Sequence, residues 1–306
     1  MEEGITLIVP VYNAARWLGE CLASIAAQEC SVPVRVLVID DGSSDGSQAI
    51  ARKFCEGDSR FEFIQAAHGG VSAARNLGID RCDSRWIGFV DADDRLLPGA
   101  LQTLLDALTE NGAQVAVGQF VRRDKGVTAD GGSPVCEVYD YEGAMREALY
   151  QRRIMNSPCG MLMERRLLGS DIRFREGIRF EDLDAFYRFY EPAQKIVYVR
   201  RTVYFYRENP EGFMETWNDS RLDALDVTDR MVEYMRGRHP ELLPAALDRR
   251  FSAHYNAFLL LRRFGMIRPE IQKKCLRVIR EGRARALRDP RVRLKNKLGA
   301  LLSFLL

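Results

Sequence analysis

The first 123 residues predict an α/β fold built on a mostly parallel sheet with helices on both faces, and the chain ends in a small all-α region. Three observations carry this. Short apolar, β-branched runs alternate with helical patterns across short connections, the pattern of parallel strands joined by crossover helices. The residues directly after four of those runs are polar, at the carboxyl ends of strands where ligands bind in such sheets. From 219 onward the apolar spacing is helical and carries no strand signal.

In order, ITLIVPV gives strand 5–11, followed by helix 14–28, strand 34–40, helix 45–56, strand 61–66, helix 71–82, strand 86–91, helix 98–111 and strand 114–121. Gly42 suits a positive φ before the second helix, which Ser43 or Ser44 is placed to cap. Two glycines, Gly69 and Gly70, precede the third. Pro98 opens the fourth, with Asp93 or Asp94 as its cap. RRDKGVTADGGSP (122–134) interrupts the alternation with the Gly, Asp and Pro of an exposed, mobile loop. Beyond it come a helix near 141–153, an apolar piece at 158–164, a helix from Glu181-Asp182 to about 190 and an alternating strand, KIVYVRRTVYFYR, at 195–207. Helices are expected near 220–237, 241–264, 269–286 and 291–306. The expected division is an α/β domain over 1–212 and a helical, basic region over 213–306.

The chain has 306 residues, 46% hydrophobic and 29% charged, which is room for a sizeable core and excludes disorder, collagen and a small disulfide scaffold. ITLIVPV is too short and too acid-flanked for a signal peptide, and no 18-residue apolar run spans a bilayer. Seven cysteines, an odd number without a C-x-x-C, read as reduced packing residues. The expectation is a cytoplasmic protein, with peripheral attachment to the cytoplasmic face of a membrane left open. The net charge of +2 hides an asymmetry: from Arg249 to Leu306 sixteen Lys/Arg face three Asp/Glu, a balance of +13, and the rest of the chain carries −11. The tail DPRVRLKNKLGALLSFLL (289–306) mixes cations with Leu and Phe, as a helix lying in a membrane interface does. A helix packed on its own protein with a solvated cationic face is the equal alternative. No RNP or zinc-ligand signature points to nucleic acid.

Four motifs could carry chemistry. FVDADDR (89–95) ends a strand in three carboxylates within four positions, a grouping that a hard divalent cation makes tolerable. In VLVIDDGSSDGS (36–47) Asp41 sits at a strand end, placed to accept from an N–H of a nucleotide base. HGGVSAARN (68–76) sets Arg75 and Asn76 on a helix whose N-terminus suits a diphosphate. Glu181-Asp182 open a helix, where acids ordinarily complement its dipole.

Together VPVYN (9–13), IDDGSSDGS (39–47), GGVSAARNLGI (69–79), FVDADD (89–94), RFEDLDAFYRF (179–189) and VYFYR (203–207) resemble the family 2 glycosyltransferases with a GT-A fold, over about residues 5 to 210. That resemblance implies an inverting enzyme that binds a nucleoside diphosphate sugar, a UDP-sugar first, through Pro10, Tyr12, Asn13, Asp41, Gly70, Arg75, Asp91, Ala92 and Asp93. It implies Mn²⁺ or Mg²⁺ on Asp93 or Asp94 and a catalytic base at Asp182. The acceptor would be a glycan, a lipid-linked oligosaccharide or a glycolipid of the cell envelope. An Asp titrating near about 3.9 is ionised at neutral pH, as a base must be. The chain departs from the pattern after Arg207, where similar proteins often carry Gly-Ser and this one reads Glu208-Asn209-Pro210-Glu211-Gly212-Phe213. Competing readings are a non-catalytic nucleotide-sugar binding protein, a hydrolase using Gly42-Ser43-Ser44-Asp45-Gly46 as a nucleophile elbow, and an aspartyl phosphatase using IGFVDAD. Asn218-Asp219-Ser220 spells a glycosylation sequon.

Overall fold

The computed structural model describes residues 1–122, 134–209 and 216–305. In chain order the elements are β1 (Glu2–Val11), α1 (Ala15–Ala26), β2 (Val34–Asp40), α2 (Ser47–Gly57), β3 (Phe61–Gln65), α3 (Val71–Asp80), β4 (Ser84–Phe89), β5 (Arg95–Leu96), α4 (Ala100–Asn111), β6 (Val115–Val121), β7 (Cys136–Tyr139), α5 (Tyr141–Leu149), β8 (Met161–Glu164), α6 (Glu181–Tyr190), β9 (Ile196–Phe205), α7 (Asp223–Arg238), α8 (Leu243–Arg263), α9 (Pro269–Arg288) and α10 (Leu294–Leu302). The chain forms two compact units. One comprises Met1–Tyr141, Ser157–Gly177 and Ala185–Glu208; the other comprises Glu142–Asn156, Ile178–Asp184 and Asn209–Leu306. The helical unit thus takes in two segments that precede residue 212. Most of the loop expected at 122–134, and the Pro210–Phe213 departure, lie outside the described residues.

The first unit is one mixed sheet with its helices. Its strands run β3-β2-β1-β4-β8-β6-β9, and the far edge of β9 pairs with β7 along its first half and β5 along its second. β1 to β4 pair in parallel, as the alternation predicts, with Leu7 between Val36 and Gly88. β8 enters antiparallel between β4 and β6, through Trp86 opposite Glu164 and Val115 opposite Met163. Local periodicity shows that 161–164 is buried on both sides, but not that it inserts between two strands from much earlier in the chain. β5 and β7 are too short and too polar at their ends for that signal to reveal.

The helices bury the stripes their spacing dictates. α1 buries Leu18, Cys21, Leu22 and Ile25, and α4 buries Leu101, Leu104, Leu105 and Leu108, each large side chain contributing about 1.5–3 kcal/mol. α4 stops at Gly112, whose φ of +56° lets Ala113 N donate back to Leu108 O at 2.9 Å. α3 lies hard on β1, because a Cβ at Gly78 would stand 2.7 Å from the Ile8 side chain. The expected side-chain caps are corrected: α2 starts after Gly46 and α4 after Gly99, neither with a side-chain cap. Ser43 Oγ accepts Asn13 N and Asp94 Oδ1 accepts Arg207 N instead.

In the helical unit α7 packs on α8, α8 on α9 and α9 on α10. Asn218 Oδ1 accepts from Ser220 N at 2.9 Å and caps a short 3-10 turn, which gives the sequon residues a structural role. Tyr150 donates its hydroxyl to Asp289 Oδ2 at 2.6 Å and Arg291 grips both Asp289 oxygens, holding that carboxyl well below its ordinary range. Among the described residues no helix is long and apolar enough to cross a membrane.

Candidate active site

The loops after β1 and β2 are stitched together by side chains. Asn13, in the left-handed region at φ +48°, donates its N–H to Ser43 Oγ at 3.0 Å and accepts Ser44 N on Oδ1 at 2.8 Å. Ala14 N donates to Ser47 Oγ at 2.9 Å and Ala15 N to Asp45 Oδ2 at 3.0 Å. α1 has no cap of its own, so its leading N–H groups are satisfied from the second loop. Ser43 is thereby a buried acceptor, and Ser44, the serine a Gly-x-Ser-x-Gly elbow would use, donates its hydroxyl to Asn13 Oδ1 at 3.4 Å, an amide oxygen that cannot serve as its base. Pro10 is buried in β1 beyond Ile8, the last residue paired with β4, so its missing N–H costs no ladder bond on that side.

Asp41 fastens the third loop to the second. Its carboxylate accepts Gly69 N at 2.7 Å and Gly70 N at 2.9 Å and lies 3.0 Å from His68 Nδ1. Gly42 takes φ +77°, and a Cβ there would be 3.2 Å from the His68 Cβ, so glycine is required where the loops meet. The Tyr12 ring stacks on His68 at 4.6 Å and 28° with 52% of the residue exposed. The result is a flat aromatic ledge at the ends of β1 and β3, braced by the buried Asp41 carboxylate at the end of β2.

The acidic loop continues β4. Val90 N donates to Ile8 O at 3.0 Å, which keeps the chain on β1 up to the carboxylates. Asp91 accepts Arg75 Nη2 on Oδ1 at 2.7 Å; the buried guanidinium lies 5.2 Å over the Phe174 ring. Asp91 N donates to the Tyr204 hydroxyl at 3.1 Å and Asp94 N to Asp91 O at 3.0 Å, which closes the turn. Arg207 clamps its far side. Its N–H donates to Asp94 Oδ1 at 2.8 Å, its Nε to Asp93 O at 2.8 Å and its Nη2 to Glu20 Oε2 at 2.6 Å. Ala92 is buried between them.

This loop holds more negative charge than it neutralises. Burial, reinforced by Asp91, pushes the Asp93 carboxyl up to about 6. Burial also raises Asp94, to which Asp91 and Asp93 add repulsion. Asp94 Oδ2 is buried with no hydrogen-bond partner among the described residues. No group of three His, Cys, Asp or Glu among those residues is arranged to hold a metal by itself. An orphaned carboxylate oxygen and protonation-prone neighbours fit a hard cation whose shell is completed by phosphate oxygens.

Asp182 belongs to the helical unit, since the division falls within α6. It is half-buried in the first turn, and its Oδ1 accepts Leu183 N at 2.7 Å. Phe180, just before the helix, takes φ +60°, and its carbonyl accepts Asp184 N at 3.1 Å. Glu181 is buried and Asp184 is paired with Arg230 Nε at 3.1 Å. The helix N-terminus favours Asp182 as an anion. The half-buried Arg249 guanidinium is lowered to about 10 by desolvation, against which the Asp182 charge acts.

Within the first unit the structure brings Pro10, Tyr12, Asn13, Asp41, Gly70, Arg75, Asp91, Ala92, Asp93 and Asp94 to loops at the carboxyl ends of β1, β2 and β4 and the start of α3. Sequence reasoning assigned no role to His68, Tyr204 or Arg207; the aromatic run ending in Arg207 was the available signal. Asn76, also unassigned, ties α3 to the chain at Phe174, accepting Phe174 N and donating to Phe174 O, both at 2.9 Å.

The sequence model described as Glycosyl transferase family 2 matches residues 6–170. Streptococcus pneumoniae GlyG, a glycosyltransferase, is 30% identical over 265 residues, covering 81% of this chain and 83% of GlyG. GlyA, a glycosyltransferase of the same organism, is 32% identical over 243 residues, 76% of this chain; the match spans only about a third of GlyA, 34%. The crystal structure of S. aureus TarS 1–349 in complex with UDP-GlcNAc superposes with a TM-score of 0.72 at 20% identity, covering 100% of this chain and 88% of that one, a likeness of fold. The mixed sheet with its acidic loop is therefore GT-A, followed by a helical C-terminal region, and the chain belongs to glycosyl transferase family 2.

Proposed function

We propose that this chain transfers a sugar, with inversion, from a nucleoside diphosphate sugar to an acceptor hydroxyl in polysaccharide, lipid-linked oligosaccharide or glycolipid synthesis. The observation that carries the reading is the under-neutralised acidic loop 91–94 on the same strand ends as the Tyr12–His68 ledge. A flat base stacks on such a ledge, and Asp41 fixes it by holding the His68–Gly70 turn. Arg75 orients Asp91, whose other oxygen is left to accept from a ribose hydroxyl. Asp93 and Asp94 would hold Mn²⁺ or Mg²⁺, which supplies charge neutralisation for the departing diphosphate. UDP is the first nucleotide to test, because the TarS structure of the same fold holds UDP-GlcNAc. Seven free thiols, four of them buried, support a reducing cytoplasm as the place of work.

Asp182 acts as general base. As the acceptor oxygen bonds to the anomeric carbon and the diphosphate leaves from the opposite face, the hydroxyl proton passes to the Asp182 carboxylate. Asp182→Asn keeps the shape and loses the base. Donor affinity should stay within twofold of wild type while transfer falls about 10²–10⁴-fold. Unchanged transfer, or loss of donor binding in step with transfer, would remove Asp182 from this role.

A further inference from the structure

α10 is amphipathic with its polarity reversed. Its inward positions are small or polar: Asn296 donates Nδ2 to Asp248 Oδ2 at 3.1 Å, and a Cβ at Gly299 would lie 2.9 Å from the Tyr255 ring. Ala300 and Ser303 are buried beside them. The apolar side chains face outward instead. Leu294 is 72% exposed and Leu305 84%, with Leu298, Leu301, Leu302 and Phe304 exposed between them. Positions 294, 298, 301, 302 and 305 fall on one helical stripe. A soluble helix ordinarily buries such a stripe, and this one packs on its unit without using it.

The surroundings of the stripe are cationic. No acidic residue occurs from Pro290 to Leu305, Lys295 on α10 is exposed, and so are Arg280 and Arg288 on α9. Arg283 lies 3.9 Å over the Phe304 ring at the end of the stripe. The stretch from Arg249 on carries +13. A second copy of the chain would bring the same charge against this face, which self-repulsion opposes. An anionic lipid surface complements both features, accepting leucines below the headgroups and pairing Lys and Arg with phosphates.

We propose that the α10 stripe docks the protein on anionic membranes, independently of the donor chemistry. The test is co-sedimentation of the full chain with phosphatidylcholine vesicles containing 30% phosphatidylglycerol, and with pure phosphatidylcholine. Wild type should partition at least tenfold better onto the anionic vesicles, and 0.5 M salt should weaken that binding. Leu298→Glu/Leu301→Glu should lose at least tenfold. Lys295→Ala/Lys297→Ala should lose about 25-fold, fivefold per cation. Circular dichroism and thermal unfolding must match wild type in both variants. Equal partition on the two vesicle types, or variants that bind like wild type, would overturn the proposal. So would concentration-dependent dimerisation in sedimentation velocity that Leu298→Glu/Leu301→Glu abolishes, since that assigns the stripe to a second copy.

Discussion

Asp93→Asn should make the metal-free protein more stable, and the gain should grow with pH. The Asp93 carboxyl moves from an ordinary 3.8 to about 6 in the folded state, chiefly through burial, then through Asp91. At about 1.36 kcal/mol per pH unit, the charged form is disfavoured in the folded chain by about 3 kcal/mol at most. The sign follows from proton binding. Between pH 4 and 6 the folded state holds more protons at this site than the unfolded state, so stability falls as pH rises through the window and levels off above it. Asn carries no such penalty. Thermal unfolding of both proteins without divalent metal should give equal midpoints near pH 4 and a variant higher by a few degrees at pH 7.5. Saturating Mn²⁺ with nucleoside diphosphate should close or reverse that gap, because the ligand stabilises only the chain that binds it. A variant less stable than wild type at pH 7.5 without metal, or a gap independent of pH, would refute the claim that this loop is short of positive charge.

Two further substitutions test positioning. Gly78→Ala sets a methyl 2.7 Å from the Ile8 side chain and should cost about 1–3 kcal/mol, and combined with Ile8→Ala the two costs should sum to less than additively. A neutral single substitution in chemical denaturation would show that α3 can withdraw from β1. Tyr12→Ala removes a half-exposed ring and should change stability by no more than about 0.5 kcal/mol, yet weaken nucleoside diphosphate binding by about 1–3 kcal/mol; unchanged affinity would place the base elsewhere.

The alternation of strands and helices up to β6, apart from the two-residue β5, was legible to within a few residues because each element has a local period and a polar stop. The order of the sheet beyond β4 was not. β8 is recognisable as apolar, but its partners lie 78 and 48 residues earlier, Trp86 opposite Glu164 and Val115 opposite Met163, and nothing local specifies them. The same limit applies to the site. Asp41 and the 91–94 acids stand out because carboxylates cluster at strand ends, and their purposes there depend on distant groups. Arg75 reads as a solvated helix residue until Phe174 covers it and Asp91 meets it. Arg207 reads as the end of a strand until its backbone and guanidinium meet Asp94, Asp93 and Glu20. The tail was open between a membrane-facing and a self-packed helix. α10 does pack, through Asn296, Gly299, Ala300 and Ser303, which leaves its leucines outward.

The most direct test of donor binding at this site is calorimetric titration of UDP, GDP, dTDP and CDP, each with and without Mn²⁺, into wild type and Asp93→Ala. One diphosphate should bind wild type in a manganese-dependent way, and Asp93→Ala should lose that dependence. No binding by any of the four, or equal affinity in the two proteins, would contradict a metal-assisted nucleotide-sugar site at the acidic loop.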